Sequence, residues 1–323
     1  MPASRCCCGS ARSLTGGRGY ATEGGIIRPW LLRTALRGLP HHATMVDRSE
    51  LFSVEGLVAV ITGGGTGLGR FMAHTLASNG AQKVYILGRR PEPLQECATP
   101  YPSIITPIQC DITSKPSIAA AATLISSEVG YINLLILNAG VPGPRSSVLP
   151  RNASLDDFVA DQWRVGVDEY LEPFRTHGAA CWFTAVGFLR LLDKGNREGK
   201  RRELSQIIVV ASAGAFNRAT LGNWAYAQSK SAQVHMVKQM ATSLVPYRIR
   251  ANAVCPGVFP SDLSEWTSKA GVLDSANFPA GRLGEEKDMA GVILFLASAA
   301  AGYVNGNVML VDGGSMSTIP GTY

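Results

Sequence analysis

The feature that most constrains the fold is a regular alternation of short apolar runs with longer segments suited to helices. The runs are rich in Val, Ile and Leu and end at Gly, Pro, Asn or Asp, as buried strands do. They lie at Leu57–Ile61, Val84–Leu87, Ile104–Ile108, Leu134–Leu137, Ile207–Val210, Ile249–Val254 and Val308–Val311. The helix candidates between them are Gly67–Ser78, Ser117–Glu128, Gly178–Leu192, Ala225–Leu244 and Glu286–Ser298. The pattern predicts an α/β fold, namely a single doubly wound domain over residues 45–323, with a seven-stranded parallel sheet and helices on both faces.

The first 44 residues differ in composition from the rest of the chain. They contain six Arg, no Lys and a single acidic residue, Glu23. A segment rich in Arg and Ser and poor in acids is typical of mitochondrial targeting peptides. We therefore expect residues 1–44 to be a leader that directs the protein to the mitochondrial matrix. The alternative is a start at Met45 or a disordered tail, and the protein is then cytoplasmic.

The composition of the remaining chain argues against several classes of partner. The leader supplies +5 of the formal net charge of +6, so the body lacks the clustered basic residues of a nucleic-acid-binding face. No run of 18 or more apolar residues occurs, which predicts no membrane span. The seven cysteines form no CxxC pair, so we expect neither a metal site nor a disulfide framework.

A glycine-rich segment, residues 62–69, follows the first predicted strand and opens a predicted helix. In such a position Gly63 permits a tight turn, Gly67 allows a pyrophosphate to approach the backbone, and Gly69 allows close helix packing. The helix N-terminus then offers unpaired N–H groups to the phosphates. The sequence thus predicts a dinucleotide site that includes Thr62, Gly63, Gly65, Gly67, Leu68 and Gly69.

The end of the second predicted strand indicates which dinucleotide binds. A site selective for NAD places an acidic residue here, whereas this chain has Gly88 followed by Arg89 and Arg90. An arginine can bind the additional 2′-phosphate of NADP. We therefore expect NADP(H) to be preferred over NAD(H), with Arg89 as the first contact and Arg90 as the second.

Further motifs follow in a characteristic order. They are Cys110-Asp111-Ile112, Asn138-Ala139-Gly140, Ser212, Tyr226-Ala-Gln-Ser-Lys230, Pro256-Gly257 and Val311-Asp312-Gly313-Gly314. With these motifs the chain resembles the short-chain dehydrogenase/reductase family, and within it fungal relatives of the 3-oxoacyl-[acyl-carrier-protein] reductases. The resemblance implies a Rossmann domain and places Asp111 near the adenine. It also adds Ile112, Asn138, Ala139, Gly140, Tyr226, Lys230, Pro256, Gly257 and Ser261 to the cofactor-binding residues.

The chemistry of the predicted catalytic residues is consistent with that resemblance. A carbonyl that accepts a hydride needs a proton donor within hydrogen-bond reach. Tyr226 is a weak acid, and Lys230 lies one helical turn away on the same face, where its charge would lower the pKa of the phenol. Ser212, just after the fifth predicted strand, would polarise the carbonyl. These three residues are the predicted catalytic set.

One departure from the family's pattern concerns a fourth catalytic residue. The family carries an Asn on the helix before the fifth strand, where it holds a kink and a water that links the lysine to solvent. In this chain His177 falls at that position. It would act as a proton relay near neutral pH; the alternatives are weakened activity or a histidine with no role.

The segment from Val258 to Ala280 is expected to close the substrate pocket. Its apolar residues Phe259, Leu263, Trp266, Val272, Leu273 and Phe278 favour a small apolar carbonyl or alcohol, although they would serve equally as ordinary packing. The predicted function is NADPH-dependent carbonyl–alcohol interconversion, on a 3-oxoacyl or another apolar ketone substrate. The alternative is a catalytically weak, NADP(H)-binding sensor or scaffold subunit. The resemblance also implies a homodimer or homotetramer.

Overall fold

The computed structural model describes residues 46–147, 149–150, 152–199, 201–219, 223–260 and 279–323. Within them, seven strands form one parallel sheet in the order β3-β2-β1-β4-β5-β6-β7. The strands are β1 (Val58–Thr62), β2 (Lys83–Gly88), β3 (Ile105–Gln109), β4 (Leu134–Leu137), β5 (Gln206–Val210), β6 (Arg250–Pro256) and β7 (Val308–Val311). The predicted doubly wound sheet is therefore confirmed.

Helices cover both faces of this sheet. They are α1 (Arg48–Leu51), α2 (Gly67–Ser78), α3 (Pro91–Ala98), α4 (Lys115–Glu128), α5 (Leu155–Trp163), α6 (Val167–Pro173), α7 (Cys181–Glu198), α8 (Trp224–Ser243) and α9 (Glu286–Ala297). A π-helix, Phe174–Ala180, joins α6 to α7. None of the helices in the described ranges is long and apolar enough to cross a membrane.

The core divides between the two faces of the sheet because successive strand side chains point to opposite sides. In β1, Val58 and Val60 belong to one buried cluster, whereas Ala59 and Ile61 belong to the other. Every residue of β1 is buried. Burial on both faces explains why the strands read as continuous apolar runs rather than as alternating patterns.

Several predicted helix bounds were wrong, and four helices had not been predicted. The helix predicted from Ser117 begins at Lys115, with Pro116 in its first turn, where a proline is tolerated. The helix predicted over Gly178–Leu192 starts within the π-helix and continues as α7 to Glu198. Helices α1, α3, α5 and α6 were missed. The prolines of α3 obscure its pattern, although Pro91 stands at a helix start, where proline is favoured.

The order of the strands fixes where a ligand can bind. Strands β1 and β4 are neighbours, and the chain continues from β1 to one side of the sheet and from β4 to the other. Loops that leave the carboxyl ends of these two strands in opposite directions open a crevice between them. The glycine-rich segment follows β1 and the Asn138–Gly140 segment follows β4, so both lie at this crevice.

Candidate active site

A single cleft at the carboxyl edge of the sheet contains most of the predicted site residues. It runs from Arg89 and Arg90 at one end, past Gly65 and Gly67, to Tyr226 and Lys230 at the other. Further predicted residues along it are Gly63, Leu68, Asp111, Ile112, Asn138, Ala139, Gly140 and His177. The structure therefore brings the two predicted halves, cofactor and catalytic, into one continuous groove.

The glycines after β1 leave room that any side chain would fill. Gly63 and Gly67 have positive φ angles of 64° and 51°, which residues other than glycine rarely adopt. A Cβ on Gly69 would lie 2.1 Å from the carbonyl oxygen of Gly63, so α2 packs directly on the turn. The N-cap residue of α2, Thr66, makes no side-chain cap bond, which leaves the first N–H groups of the helix for an anion. This geometry fits the diphosphate of a dinucleotide.

Thr62 and Asn138 hold the two sides of the cleft together. The Thr62 hydroxyl accepts the backbone N–H groups of Asn138 at 3.0 Å and Ala139 at 3.1 Å. In return the Asn138 side-chain amide donates to the carbonyl oxygens of Thr62 at 3.0 Å and Gly63 at 3.1 Å. Thr62 is 1% exposed and does not line the cleft among the described residues. It therefore supports the cofactor turn from behind rather than contacting a ligand.

Two exposed arginines follow β2 at the mouth of the cleft. The carbonyl oxygen of Arg89 accepts a hydrogen bond of 3.0 Å from the Gln109 side chain, which fixes its backbone beside β3. Hydrogen bonds from Thr113 and the nearby charge of Arg89 hold the pKa of the Asp111 carboxyl below its usual value. Asp111 thus remains an anion and caps its own turn, while Arg89 adds positive charge at the mouth.

Tyr226 lines the far end of the cleft and bonds to Ser212, which is not itself among the described lining residues. The Ser212 hydroxyl accepts the Gly214 N–H at 3.0 Å, which orients the serine at the start of a short 3₁₀ turn after β5. It also bonds to Tyr226; burial raises the pKa of the phenol, and this bond opposes the rise. The expected net lowering of the phenol pKa is not observed, because burial outweighs the effects that oppose it. Tyr226 is therefore held as a neutral phenol, which is the form that can donate a proton.

Lys230 is buried, with 3% of its surface exposed, and its ammonium group binds two neutral acceptors. Its Nζ donates to the Val210 carbonyl oxygen at 2.9 Å and to Gln233 Oε1 at 2.9 Å. It lies 5.7 Å from the centre of the Tyr226 ring. Burial lowers the pKa of Lys230 to about 8, and no carboxylate among its described neighbours offsets the loss of water.

His177 lies at the same end of the cleft but is not arranged as a proton relay. Its Nε2 accepts the Val141 N–H at 3.1 Å, and its Nδ1 lies 2.8 Å from the Ser229 hydroxyl oxygen. That hydroxyl donates its only proton to the Tyr226 carbonyl oxygen at 2.7 Å, so the proton between Ser229 and His177 belongs to Nδ1. Burial and the charge of Lys230 lower the pKa of His177 to about 2. Both nitrogens are occupied and the ring is neutral, so the expected relay near neutral pH does not fit this geometry.

The π-helix explains how His177 reaches this position. Pro173 lacks an N–H and ends α6, and the wider turns that follow carry His177 inward to full burial. A Cβ on Gly140 would lie 2.8 Å from His177 Nε2, so the imidazole packs directly against the turn after β4. The histidine therefore links that turn to α8.

Other predicted residues lie elsewhere or outside the described ranges. Pro256 ends β6, and Gly257 follows it and packs on Asp312, whose Cα would lie 2.7 Å from a Cβ on Gly257. Neither residue lines the cleft within the described chain. Phe259 is buried in the core, so its packing interpretation is the correct one. The leader, Ser261 and residues 263–278 of the predicted pocket cover are outside the described residues. No described group of His, Cys, Asp and Glu side chains forms a metal site.

Two buried polar residues of the site were not predicted. Ser229 and Gln233 lie on α8 next to Lys230 and one turn beyond it, and both are almost fully buried. Their signal in the sequence is spacing: Ser229, Lys230 and Gln233 fall on the helix face that contains the apolar positions Val237 and Met240. A polar group on a buried face needs a partner.

Comparisons with known proteins agree with this site. A family model described as short chain dehydrogenase matches residues 57–270. The short-chain dehydrogenase/reductase PhomF of Diaporthe leptostromiformis is 41% identical over 289 residues, which cover 85% of this chain and 96% of the relative. The relative is thus matched along nearly its whole length.

Solved structures share the fold. The Pseudomonas aeruginosa RhlG/NADP active-site complex superposes with a TM-score of 0.72 at 26% identity, covering 82% of this chain and 98% of that one. A 7α-hydroxysteroid dehydrogenase complexed with NADH and 7-oxo glycochenodeoxycholic acid gives a TM-score of 0.71 at 25% identity. The match covers 83% of this chain and 98% of that one. By its sequence match and by this architecture, the chain belongs to the short-chain dehydrogenase/reductase family.

Proposed function

We propose that this protein is an NADPH-dependent oxidoreductase that interconverts a carbonyl and a secondary alcohol on a small apolar substrate. The observation that carries the proposal is the end of the cleft, where Tyr226 bonds to Ser212 beside the buried ammonium group of Lys230. The opposite end carries Arg89. One groove therefore carries a candidate proton donor at one end and a candidate cofactor-binding arginine at the other.

The preference for NADPH rests on charge at the mouth of the cleft. Gly88 ends β2 without an acidic side chain, and exposed Arg89 and Arg90 follow. A 2′-phosphate would gain charge-assisted hydrogen bonds from such arginines. Among solved relatives, the RhlG complex contains NADP and the 7α-hydroxysteroid dehydrogenase complex contains NADH, so the family binds either. The arginines favour NADPH in this chain.

The bound cofactor supplies the hydride, and the residues of this chain manage the proton. In reduction, the Tyr226 hydroxyl gives its proton to the carbonyl oxygen as negative charge develops there. The hydroxyl of Ser212, held by the Gly214 N–H, donates a hydrogen bond to the same oxygen. The ammonium of Lys230 stabilises the phenolate that remains, until the phenolate regains a proton from solvent. Since burial keeps Tyr226 protonated at rest, the site is prepared for reduction.

The surroundings of the cleft favour a free substrate over one attached to a carrier protein. Helices α5 and α6 lie beside the N-terminus of α8, where Phe158 contacts Trp224 and Tyr170 bonds to Gln228 at 2.8 Å. Residues 155–173 carry six acidic side chains and one basic, Arg164. An acyl-carrier protein would be recognised by a basic patch at the entrance, and this flank has the opposite charge. A 3-oxoacyl substrate would accordingly be used as a small free thioester.

A catalytically weak, cofactor-binding subunit is the competing function, and one observation favours it. Both nitrogens of His177 are bound to Val141 and Ser229, so neither can hold a water beside Lys230. Proton supply to the site would be slow if it depended on that water. Substitution of Tyr226 separates the two functions.

The experiment measures NADPH consumption by the full chain with free 3-oxoacyl thioesters, cyclic ketones and quinones. Tyr226→Phe should lose at least ~10²-fold in kcat/KM while it still binds NADPH. Arg89→Asp should lower the ratio of NADPH to NADH efficiency by about tenfold or more, because a charge-assisted contact is lost. Arg48→Ala, an exposed arginine on α1 outside the cleft, is the control. Turnover that survives Tyr226→Phe, or NADPH binding without turnover by the unmodified protein, would overturn the reductase proposal.

A further inference from the structure

The ammonium group of Lys230 is held by a side chain to which nothing so far assigns a role. Gln233 is 1% exposed and stands one turn beyond Lys230 on α8. Its Oε1 accepts a hydrogen bond of 2.9 Å from Lys230 Nζ. A lysine ammonium can only donate, so the oxygen of the Gln233 amide must be the atom that faces it.

The other half of the Gln233 amide is anchored on a different helix. Cys181, at the start of α7, forms a hydrogen bond with the Gln233 side chain. With its nitrogen directed to the thiol and its oxygen to Lys230, the amide cannot rotate without losing both bonds. Cys181 is itself buried, at 4% exposure, so the arrangement lies within the core.

The charge on Lys230 depends on few groups. In the part of the chain that the structure describes, the titratable side chains around it are Cys181 on α7, Cys255 on β6, His177 on the π-helix and Tyr226 on α8. Burial raises the pKa of both cysteines and lowers that of His177, so all three are neutral near pH 7. The ammonium is therefore stabilised by two neutral oxygens, of Val210 and Gln233, and one of these is a replaceable side chain.

We propose that Gln233 is a positioning residue that holds Lys230 in its working orientation and sets how readily Lys230 keeps its proton. Two of the three Lys230 donors are used by Val210 and Gln233, and the third serves the cleft that Lys230 lines. Gln233 thereby tunes the proton chemistry of Tyr226 without touching substrate or cofactor. The inference rests on the proposed reductase function for its catalytic consequence, but not for the link itself.

The test is a matched pair of substitutions with opposite electrostatic effects. Gln233→Leu removes the acceptor, so Lys230 should lose its proton at lower pH. Gln233→Glu keeps the shape and adds a negative charge, so Lys230 should keep its proton to higher pH. The shifts should each reach about one pH unit, as expected for a change of partner at hydrogen-bond distance. Gln239→Leu, an exposed glutamine on the same helix, is the control.

The first readout is NMR titration of the Lys230 side chain, with ¹³C at Cε, in the protein without cofactor. Its resonance is assigned as the one that is absent from the spectrum of the Lys230→Met variant. Opposite displacements of the titration midpoint in the two Gln233 variants support the proposal; equal midpoints in the unmodified protein and both variants overturn it. If Gln233→Leu does not fold, an unmoved midpoint in Gln233→Glu is sufficient to overturn it.

The second readout is the alkaline limb of kcat/KM for NADPH-dependent ketone reduction, which should move in the same direction as the NMR midpoint. A change in kcat with no movement of the limb would indicate packing alone and would contradict the proposal. Should no ketone be reduced, the proposed function fails, while the titration still decides the role of Gln233.

Discussion

The ring of His177 stands edge-on to the ring of Tyr226, with centroids 5.5 Å apart and planes at 86°. This contact places a neutral imidazole against the proposed proton donor. Because burial and the charge of Lys230 lower the pKa of His177 to about 2, its charge does not change over the range in which enzymes are assayed. The residue acts through position rather than through titration.

His177→Asn should therefore lower the free energy of unfolding and leave the pH dependence of reduction unchanged. The shorter amide cannot reach both Val141 N and Ser229 Oγ, and a buried group left without a partner costs about 1–3 kcal/mol. Urea unfolding should show that loss, whereas the pH profile of reduction between pH 5 and 8 should keep its shape. A lost inflection near neutral pH would restore the relay interpretation.

A double-mutant cycle with Ser229→Ala tests whether the link acts as a unit. If His177 and Ser229 stabilise α8 through their shared bond, the losses in unfolding free energy should be less than additive by about 0.5 kcal/mol or more. Additive losses would mean that the two residues contribute separately.

Gly69→Ala should destabilise the protein by about 2 kcal/mol and weaken NADPH binding. The new Cβ would meet the Gly63 carbonyl oxygen at 2.1 Å, so either α2 or the turn after β1 must move. Gly291→Ala on α9 is the matched control, because a Cβ there has open space around it. That change should stabilise by ~0.5–1 kcal/mol, as alanine does within helices. Thermal unfolding and NADPH titration measure both effects.

Thr62→Val should loosen the cofactor turn although Thr62 does not line the cleft. The substitution leaves two part-buried N–H groups, of Asn138 and Ala139, without their acceptor, at a cost of about 1 kcal/mol each. We expect a higher Kd for NADPH and a lower unfolding free energy. Thr62→Ser keeps the hydroxyl and should retain most of the NADPH affinity and most of the unfolding free energy. Equal losses in the two variants would assign the effect to packing.

Stability should rise with pH through the titration of Lys230. Its pKa is about 8 in the folded protein against an ordinary value of 10.5. Between these values the unfolded chain holds a proton that the folded protein has released, so unfolding becomes less favourable as pH increases. Relative to Lys230→Met, the unmodified protein should gain up to about 3 kcal/mol from pH 8 to pH 10.5. Urea unfolding of both proteins across this window measures the difference, and a constant difference would contradict the shift.

The exposed apolar side chains of α7 provide a test of the expected oligomer. Trp182 and Val186 are 41% and 42% exposed and one helical turn apart. A charge at both positions, Trp182→Glu with Val186→Glu, should dissociate a dimer or tetramer that uses this face, as measured by sedimentation velocity. Val46→Glu, exposed before α1, should leave the assembly unchanged.

The sequence predicts the sheet well because its signal is strong and local. All seven apolar runs became strands within one or two residues of their predicted bounds, and the glycine turn and Tyr226–Lys230 fall where spacing requires. Because the strands are buried on both faces, they are continuous apolar runs, rich in Val, Ile and Leu, that are easily recognised in the sequence. The NADPH preference, the oligomer and the leader stay predictions.

The roles of His177, Ser229 and Gln233 could not be predicted because they depend on distant partners. Val141 and Cys181 meet these side chains only after the chain has folded, and no spacing encodes those contacts. The expected net lowering of the Tyr226 pKa by Lys230 likewise took no account of burial. In the structure the hydrogen bonds of Lys230 go to Val210 and Gln233, and burial dominates both pKa values.

The π-helix makes the length of segment 174–180 as important as its side chains. Each residue turns a helix by about 100°, and the wider turns accommodate extra chain between Pro173 and α7. Deletion of one residue would restore an ordinary helix of better local geometry, yet it would rotate His177 away from Val141 and Ser229. The segment is therefore sensitive to insertions and deletions in a way that single substitutions do not reveal. A shortened variant would keep its helicity and lose its link between β4 and α8.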